Sequence, residues 1–245
     1  MNLCDAHCHL ANLADLYPLD KLIAEAKEQA ITCFLSSALR KCEIEYHLAN
    51  ANPAILFSAG IHPNFDECDI SLRDISTLCE ERKLWAIGEI GLDRGNAEYL
   101  FQIEVFMQQL DLALEYRLPV VLHIVGHQQQ AFDILKQYPL KYLVHGYAGS
   151  MEGYRQLCRL ESYFTVSNRI LKTDKQELLA AIVKDARFLF ETDITQYYIK
   201  DKETNPLLRL TELVRQTAIV TDCDASSLFQ AQERNYHALT GEHIQ

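Results

Sequence analysis

The stretch L-C-D-A-H-C-H-L-A at residues 3–11 decides between two fold classes. A short apolar run ends in His7 and His9, and no glycine follows before the next helical pattern begins. Doubly wound open sheets usually carry a glycine-rich phosphate loop directly after their first strand, so the stretch makes that alternative the weaker one. It favours a closed barrel, whose strands all end at one face.

Seven further apolar runs of strand length follow along the chain. Strands are predicted at residues 3–8, 31–36, 54–60, 84–89, 119–124, 141–145, 162–166 and 187–192. Their starts lie 21 to 35 residues apart, which is the length of one strand, one helix and two loops. Eight such units predict an α/β protein with a single (β/α)₈ TIM barrel domain over residues 1–245, for which about 250 residues is typical.

The clearest helix is predicted at residues 97–117, where apolar side chains recur every three or four positions. The side chains expected to pack on the barrel are those of Leu100, Ile103, Phe106, Met107, Leu110, Ala113 and Leu114. Pro119 then ends the helix and opens the next strand.

The composition excludes several classes of protein. The chain has 23 Lys and Arg against 34 Asp and Glu, which gives a net charge of −11. This charge argues against non-specific binding of nucleic acid through long-range electrostatic attraction, but it does not exclude a local basic patch. No apolar run is long enough to span a membrane, and the N-terminal residues lack the pattern of a signal peptide. The 8 cysteines show no C-x-x-C spacing, so we expect reduced thiols in a cytoplasmic protein, with Cys4 and Cys33 buried.

Five of the predicted strands end in side chains that commonly bind metals. His7 and His9 lie two residues apart, so on a strand both point to the same face. Glu89 ends the fourth strand between two glycines, and a buried carboxylate is costly unless it is paired or bound to a metal. His123, His145 and Asp193 end the fifth, sixth and eighth strands. Because the carboxyl ends of barrel strands converge, we expect these side chains to meet in one metal centre.

This set of ligands restricts the metal and the chemistry. Imidazole and carboxylate groups suit Zn²⁺, Mn²⁺, Fe, Co or Ni, and more oxygen-rich variants suit Mg²⁺. Six ligands exceed the need of one open tetrahedral site and favour two divalent ions about 3.5–4 Å apart, bridged by a carboxylate and used for hydrolysis. We expect Glu89 to bridge, and Asp193 to hold one ion and accept the proton of the attacking water.

Four other histidines are not expected to join this centre. The spacing of His123 and His127 matches half of a zinc-protease helix, but the glutamate of that motif is missing and the preceding valines favour a strand. His127 is expected in a loop or at a helix start. His47, His237 and His243 fall on helices or the C-terminal tail, where we expect structural or solvated roles.

Together these residues resemble the TatD family of metal-dependent hydrolases, which are amidohydrolase-like barrels. The matching stretches are D-A-H-C-H-L at 5–10, G-I-H-P-N at 60–64, A-I-G-E-I-G-L-D at 86–93, P-V-V-L-H at 119–123, H-G-Y-A-G-S at 145–150 and E-T-D at 191–193. They follow the order of the family and extend over nearly the whole chain. N-Y-H-A-L at 235–239 is similar to the family's terminal helix and places Asn235 at a recurrent asparagine position.

The resemblance implies roles for particular residues. His7 and His9 would bind one ion, His123 and His145 a second, with Glu89 as the bridge and Asp193 as the metal-bound base. His62 would line the site and contact a substrate oxygen. Characterised relatives are mostly described as deoxyribonucleases, often 3′→5′ exonucleases that need Mg²⁺ or similar ions, which implies DNA as the substrate.

Three departures from the family pattern leave the substrate open. Val125 stands where the family often has a basic or hydroxyl residue, Ala148 replaces a hydroxyl residue, and Ile194 follows E-T-D in place of a small residue and proline. A hydrolase of a small amide, ester or phosphoester is therefore an alternative to a nuclease. A metal-binding protein without catalysis, acting through partners, is a further one.

Binding of a phosphodiester by an acidic protein needs cations near the metal face. Arg94 and Arg169 are predicted to contact substrate from loops that follow strands, and further basic residues on such loops are Arg40, Lys41, Lys172, Lys200 and Lys202. Tyr147, Tyr197 and Tyr198 fall on the same loops, where they would either stack unpaired bases or pack the loops.

Overall fold

In the computed structural model, which describes residues 2–244, eight parallel strands close into a barrel in sequence order. The strands are β1 (Leu3–Cys8), β2 (Ile31–Ala38), β3 (Ile55–Ala59), β4 (Ala86–Asp93), β5 (Val120–Val125), β6 (Lys141–Val144), β7 (Glu161–Val166) and β8 (Phe188–Phe190). The predicted (β/α)₈ barrel is confirmed, and each strand overlaps its predicted range. β4 continues to Asp93 and β5 to Val125, so Glu89 and His123 lie within their strands and not at the ends that were predicted.

Helices surround this barrel. They are α1 (Leu10–Leu13), α2 (Leu19–Glu28), α3 (Lys41–Ala49), α4 (Leu72–Glu80), α5 (Tyr99–Tyr116), α6 (Gln128–Leu135), α7 (Met151–Leu157), α8 (Gln176–Lys184), α9 (Arg209–Thr221) and α10 (Ala225–Thr240). Short 3₁₀ turns occupy Thr173–Lys175, Gln196–Tyr198 and Pro206–Leu208. Two helices follow β1 and two follow β8, so the described chain has more helices than a plain eightfold repeat.

The lower part of the barrel interior is a small apolar cluster. Alternate residues of the strands fill it, among them Cys4, Ala6, Cys33 and Leu35, and Tyr236 of α10 packs against them from the amino-terminal end. Both cysteines are buried here, as predicted. Asn235 of α10 donates its amide hydrogens to the carbonyls of Ala186 and Phe188, each at 2.8 Å, which joins the terminal helix to β8. The apolar cluster therefore fills the amino-terminal end of the barrel interior, and polar side chains occupy the opposite end.

One sequence prediction about α5 is wrong. The helix packs on the barrel through Phe106, Leu110 and Ala113, whereas Leu100, Met107 and Leu114 are exposed, Leu100 by 80%. The apolar stripe predicted from the sequence is wider than the strip of helix surface that faces the barrel, because a helix on a convex barrel is covered along one narrow face only.

The structure also bears on membrane spans and thiols. Among the described helices none is long and apolar enough to cross a bilayer. All eight cysteines are free thiols, and four of them, Cys42, Cys68, Cys158 and Cys223, are at least partly accessible.

Candidate metal centre

Four side chains, from β1, from β4 and from the segments that directly follow β1 and β8, surround one point, and we call them the first ligand group. The Nε2 atoms of His7 and His9 lie 3.4 and 3.3 Å from Oε1 of Glu89. The same two nitrogens lie 3.8 and 3.7 Å from Oδ1 of Asp193. Two imidazole nitrogens and two carboxylate oxygens thus face each other at distances wider than hydrogen bonds, as donors around a small cation would.

The second oxygen of Glu89 faces a different set, which we call the second ligand group. Oε2 lies 2.7 Å from Nε2 of His145 and 3.6 Å from Nδ1 of His123. These two ring nitrogens are 3.0 Å apart. Glu89 therefore stands between the two groups with one oxygen turned to each, which is the position of a bridging carboxylate.

Irregular pairing in two strands turns these residues inward. Cys4 and Ala6 point into the barrel, so plain alternation along β1 would turn His7 outward. The register of β1 on β2 shifts between Asp5 and Cys8, and His7 therefore also points inward. The register of β4 on β5 shifts between Ile87 and Ile90, around Glu89. Such shifts redirect a side chain against the plain alternation of a strand.

Neighbouring polar groups hold the rings of the ligands. His9 directs Nδ1 at the backbone carbonyl of Ser37 at 3.0 Å, which leaves Nε2 for a cation. His123 directs Nε2 at Oδ2 of Asp93 at 2.9 Å. Carbonyl and carboxylate partners of this kind fix the orientation of metal-binding imidazoles. Sequence reasoning missed Asp93 and Ser37, although Asp93 ends the same apolar run as Glu89.

The charges of this cluster fit a cation. Burial alone would raise the pKa of Glu89, but His145 and His7 hold it well below its usual range. Burial opposes protonation of His7 and His123, yet the facing carboxylates raise the pKa of each to about 9. His7 Nε2 and Glu89 Oε1 are buried without a hydrogen-bond partner among the described residues. Without a cation, protonated His7 and His123 thus compensate the buried carboxylates, and a divalent ion would take the place of these protons.

His62 lies close enough to Glu89 and His123 to share a cation with them, but the hydrogen bond of its other ring nitrogen favours a different role. Its Nε2 lies 3.7 Å from Oε2 of Glu89. Its Nδ1 accepts the backbone N–H of Asn64 at 2.9 Å, so the ring proton must be on Nε2. Burial lowers the pKa of His62 to about 3, which keeps the ring neutral. His62 therefore presents an N–H donor to the centre rather than a lone pair.

The centre opens into a cavity of about 240 Å³. Arg169 lines this cavity and donates from Nη2 to Oδ2 of Asp193 at 2.9 Å. Arg94, the other arginine predicted to contact substrate, is exposed and does not line it; its side chain lies over Gly126. Of the two arginines, the structure brings only Arg169 to the ligands.

Two of the other predicted cations on this face are paired with acids, whereas Lys172, Lys200 and Lys202 are exposed. Arg40 donates to Glu43 at 2.9 Å and lies 3.3 Å from Glu67. Lys41 lies 3.0 Å from Asp74. These pairs reduce the positive charge available to a polyanion.

The three predicted loop tyrosines differ in their surroundings. Tyr147 is buried and donates its hydroxyl to the carbonyl of Ser150, so it is not available to a base. Tyr197 and Tyr198 are exposed and line the metal cavity. Ile194, one of the departures from the family, is fully buried, and its carbonyl accepts the backbone N–H of His9 at 3.0 Å.

The remaining histidines lie outside the centre. His127 is the residue before α6, at a helix start as predicted. His47 is buried in α3, next to Phe57 and Ser36, and His237 and His243 are exposed near the C-terminal end. A larger cavity of about 590 Å³ lies at the amino-terminal end of the barrel, between Trp85, Arg117, Lys141 and Leu239, and none of the candidate ligands lines it.

Known proteins share this sequence and architecture. The family described as TatD related DNase matches residues 4–241. An uncharacterized metal-dependent hydrolase from Haemophilus influenzae is 30% identical over 213 residues, which cover 79% of this chain and 81% of that protein. A protein named 3′-5′ ssDNA/RNA exonuclease TatD, from Erwinia tasmaniensis, is 29% identical over 233 residues, which cover 85% and 88%.

Solved structures show the same fold. The crystal structure of YjjV, a TatD homologue from Escherichia coli, matches with a TM-score of 0.85 at 24% identity and covers 98% of each chain. A TatD family hydrolase from Entamoeba histolytica matches with a TM-score of 0.80 at 17% identity and also covers 98% of each chain. At these identities the likeness bears on the fold alone.

Proposed function

The chain belongs to the family of TatD-related DNases, and from that premise we propose that it hydrolyses the terminal phosphodiester bonds of single-stranded DNA, in the manner of a 3′→5′ exonuclease. The observation that carries this proposal is the position of Glu89, whose two oxygens face two separate groups of ligands at the floor of one cavity. Relatives named metal-dependent hydrolase, deoxyribonuclease and 3′-5′ ssDNA/RNA exonuclease support the same chemistry.

Two divalent ions would be held by this chain, and Zn²⁺, Mg²⁺ and Mn²⁺ all suit the donors. His7, His9 and Asp193 would hold one ion together with Oε1 of Glu89, and His123 and His145 the other together with Oε2. When bound, such ions supply an activated water and polarise the scissile phosphoryl oxygen.

The side chains around the ligands have complementary tasks. Asp193 would accept the proton of the attacking water and pass it to the leaving oxygen. Arg169, which touches Asp193 at the cavity wall, would contact a non-bridging phosphoryl oxygen. The Nε2–H of His62 would donate to another substrate oxygen and so fix the phosphate over the bridging carboxylate.

The shape of the cavity supports a strand end as the substrate. Its volume of about 240 Å³ lies below the range of roughly 300–1,000 Å³ usual for sites that enclose a drug-sized ligand. The end of a duplex is too wide to enter a cavity of this size. The last nucleotide of a single strand can enter it while the rest of the strand stays outside. The exposed Tyr197 and Tyr198 at the cavity suit unpaired bases.

The same small cavity also favours a second candidate, a hydrolase of small phosphoesters, esters or amides. Pairing of Arg40 and Lys41 with acids favours it as well, because a polymer gains from unpaired cations that a small substrate does not need. A non-catalytic role is the least supported, because it gives no use to Arg169 and His62 beside the ligands.

Initial rates on a panel of substrates separate these candidates. The panel contains end-labelled single strands, the same strands in a duplex, and small chromogenic phosphoesters, each with Mg²⁺, Mn²⁺ or Zn²⁺. We expect single mononucleotides from the single strand and slow or no release from the blunt duplex. Rapid turnover of small esters with no release from any strand would replace the nuclease with the second candidate.

A cytoplasmic location is also part of the proposal. The eight free thiols support it, because long-lived free thiols are typical of a reducing compartment. Fractionation of the native cells with an antibody to this protein is the measurement that checks it.

A further inference from the structure

The large exposed aromatic side chains of the described chain are concentrated at the metal face. They are Phe101, Tyr197 and Tyr198, exposed by 61%, 59% and 54%. Tyr197 and Tyr198 line the metal cavity, and Phe101 lines a smaller neighbouring cavity that it shares with His62. Exposed aromatic rings lose hydrophobic stabilisation, so their concentration around one site indicates a ligand that covers them.

The loop that carries the two tyrosines is held in place by its backbone. Oδ1 of Asn12 accepts the N–H of Gln196 at 2.6 Å, and Arg209 donates to the carbonyl of Tyr198 at 2.8 Å. Thr195 caps the turn by accepting the N–H of Tyr197 at 3.2 Å. The main chain is thus anchored on both sides while the rings extend outward, as a rigid stacking surface requires.

We infer that Tyr197 and Tyr198 form a stacking surface for an unpaired base of the strand whose terminal phosphodiester lies at the metal centre. This inference rests on the proposed nuclease function and specifies the part of the substrate that the loop binds. Aromatic stacking tolerates every base, so the surface selects for single strands rather than for sequence. Phosphate binding through Arg169 alone would not make that selection.

Two strands and two double variants test the stacking surface. The strands are a single-stranded decamer of deoxythymidine and the same decamer with tetrahydrofuran abasic units at its last two positions. The variants are Tyr197→Leu with Tyr198→Leu, and Tyr197→Phe with Tyr198→Phe, of which the second retains both rings. kcat/KM is measured for each pair with Mn²⁺.

We expect wild type to prefer the base-bearing strand by about tenfold or more, and the double leucine variant to lose most of that preference. The double phenylalanine variant should lose much less of it. A leucine variant that keeps the full preference would overturn the stacking surface. Wild-type protein that cleaves neither strand would instead refute the nuclease function, so the two failures are distinguishable.

A second observation concerns Glu191, which no step above uses. Its side chain is fully buried, and neither carboxyl oxygen has a hydrogen-bond partner among the described residues. Nδ1 of His145 lies 3.9 Å from Oε2 of Glu191, and this nitrogen is also buried without a partner among the described residues. Two such groups facing each other are costly to bury unless they interact.

The direction of the His145 ring explains the arrangement. Its Nε2 faces Oε2 of Glu89 in the second ligand group, so a cation would be bound through Nε2. An imidazole that binds through Nε2 carries its proton on Nδ1, and that proton points at Glu191. A shift of about 1 Å in either side chain brings the two atoms to hydrogen-bond distance.

The geometry points to Glu191 as the positioning residue for His145. When a cation is bound at Nε2 of His145, the carboxylate of Glu191 accepts the Nδ1–H of that ring. Glu191, Thr192 and Asp193 then have three separate tasks: Glu191 orients His145, Thr192 donates its N–H to Asp5 at 2.9 Å, and Asp193 is a ligand itself. Glu191 does not touch substrate in this arrangement.

Glu191→Leu and Glu191→Gln separate positioning from packing. Leucine removes the acceptor and also removes a buried carboxyl, so we expect chelator-treated protein to unfold at the wild-type temperature or above it. Calorimetric titration with Mn²⁺ should nevertheless show that the ion held by His145 binds to the leucine variant about 10- to 100-fold less tightly than to wild type. Glutamine keeps an acceptor oxygen and should recover part of this affinity. Unchanged Mn²⁺ affinity in the leucine variant would overturn the role.

Discussion

At the scale of single residues, Asp193 has two contacts that make it the most informative candidate ligand to change. One oxygen faces His7 and His9, and the other accepts a hydrogen bond from Arg169. Burial alone would raise the pKa of Asp193, but the imidazoles of His9, His145 and His7 that face it hold this pKa well below its usual range. The carboxylate is therefore ionised at neutral pH and fixed in direction.

Asp193→Asn tests the role of this charge. The amide has the same shape, so the variant should fold like wild type, while loss of the proton acceptor should lower kcat by about 10²- to 10⁴-fold. Mononucleotide release and the far-UV spectrum are measured on the same preparation. Turnover within threefold of wild type would show that Asp193 is not the base.

His47, outside the centre, gives a pH dependence of stability. Burial lowers the pKa of its ring to about 4, and Nε2 lies at hydrogen-bond distance, 3.1 Å, from the hydroxyl oxygen of Ser36. Between pH 6.5 and about 4 the unfolded chain binds a proton that folded His47 does not, so stability falls as the pH falls. The loss should reach about 3 kcal/mol.

Urea unfolding at pH 7 and at pH 4.5 measures this loss. His47→Gln should reduce the difference in free energy of unfolding between the two pH values, because the titrating group is gone. His237→Gln serves as the control, since His237 is exposed on α10. An equal pH dependence in wild type and in His47→Gln would contradict the assignment.

At the scale of elements, β1 and β4 set the geometry of the centre through their irregular pairing. The sequence predicted both strands and the candidate ligands on them, because apolar runs that contain or precede polar residues are local patterns. It could not predict that the register shifts at Asp5–Cys8 and Ile87–Ile90, because a shift depends on the partner strand.

The same limit applies to contacts between strands. Asp93 on His123, Arg169 on Asp193 and Glu191 beside His145 join residues that are 24 to 46 positions apart, and no spacing in the sequence marks them. The exposed part of α5 was mispredicted for a related reason: apolar periodicity shows which residues share a helix face, but not how much of that face the barrel covers.

Gly91 of β4 has no room for a side chain against β5. It has φ +150°, and a Cβ there would lie 2.0 Å from the carbonyl oxygen of His123. Gly91→Ala should therefore push the two strands apart and cost about 3 kcal/mol, with weaker Mn²⁺ binding because Glu89 and His123 move relative to each other.

A second glycine provides the matched control for this variant. Gly241 has φ +78°, and a Cβ there would meet no other group within 4 Å, so Gly241→Ala meets backbone strain alone and should cost only about 1 kcal/mol. Thermal unfolding and Mn²⁺ titration compare the two. Equal losses in both would show that close packing of β4 on β5 does not matter.

At the scale of the whole molecule, a net charge of −11 surrounds a centre that is proposed to bind a polyanion. Arg40 and Lys41 are paired with acids, Lys172, Lys200 and Lys202 are exposed, and Arg169 is the predicted cation that contacts a candidate ligand. That residues 1–245 form one domain stays a prediction, and the family match over residues 4–241 agrees with it.

Salt dependence of binding measures how many cations take part. For a nuclease-resistant phosphorothioate single strand with Mn²⁺, the plot of log K against log salt should have a shallow slope of about −1 to −2. Arg169→Gln, alone or together with Arg94→Gln, should make this slope shallower by about 0.7 for each phosphate contact that is lost. Arg155→Gln, on the exposed side of α7, should leave the slope unchanged. A slope that Arg169→Gln does not alter would exclude its phosphate contact.

Release of mononucleotides from end-labelled single-stranded DNA, as Mn²⁺ is titrated into chelator-treated protein, tests the metal centre most directly. Glu89→Gln is measured alongside, because Glu89 faces both ligand groups. We expect no release without metal, saturating release as Mn²⁺ is added, and less than about 1% of that rate from Glu89→Gln. Equal release without metal or from Glu89→Gln, or no release from folded wild type loaded with Mn²⁺, would contradict a metal-dependent nuclease.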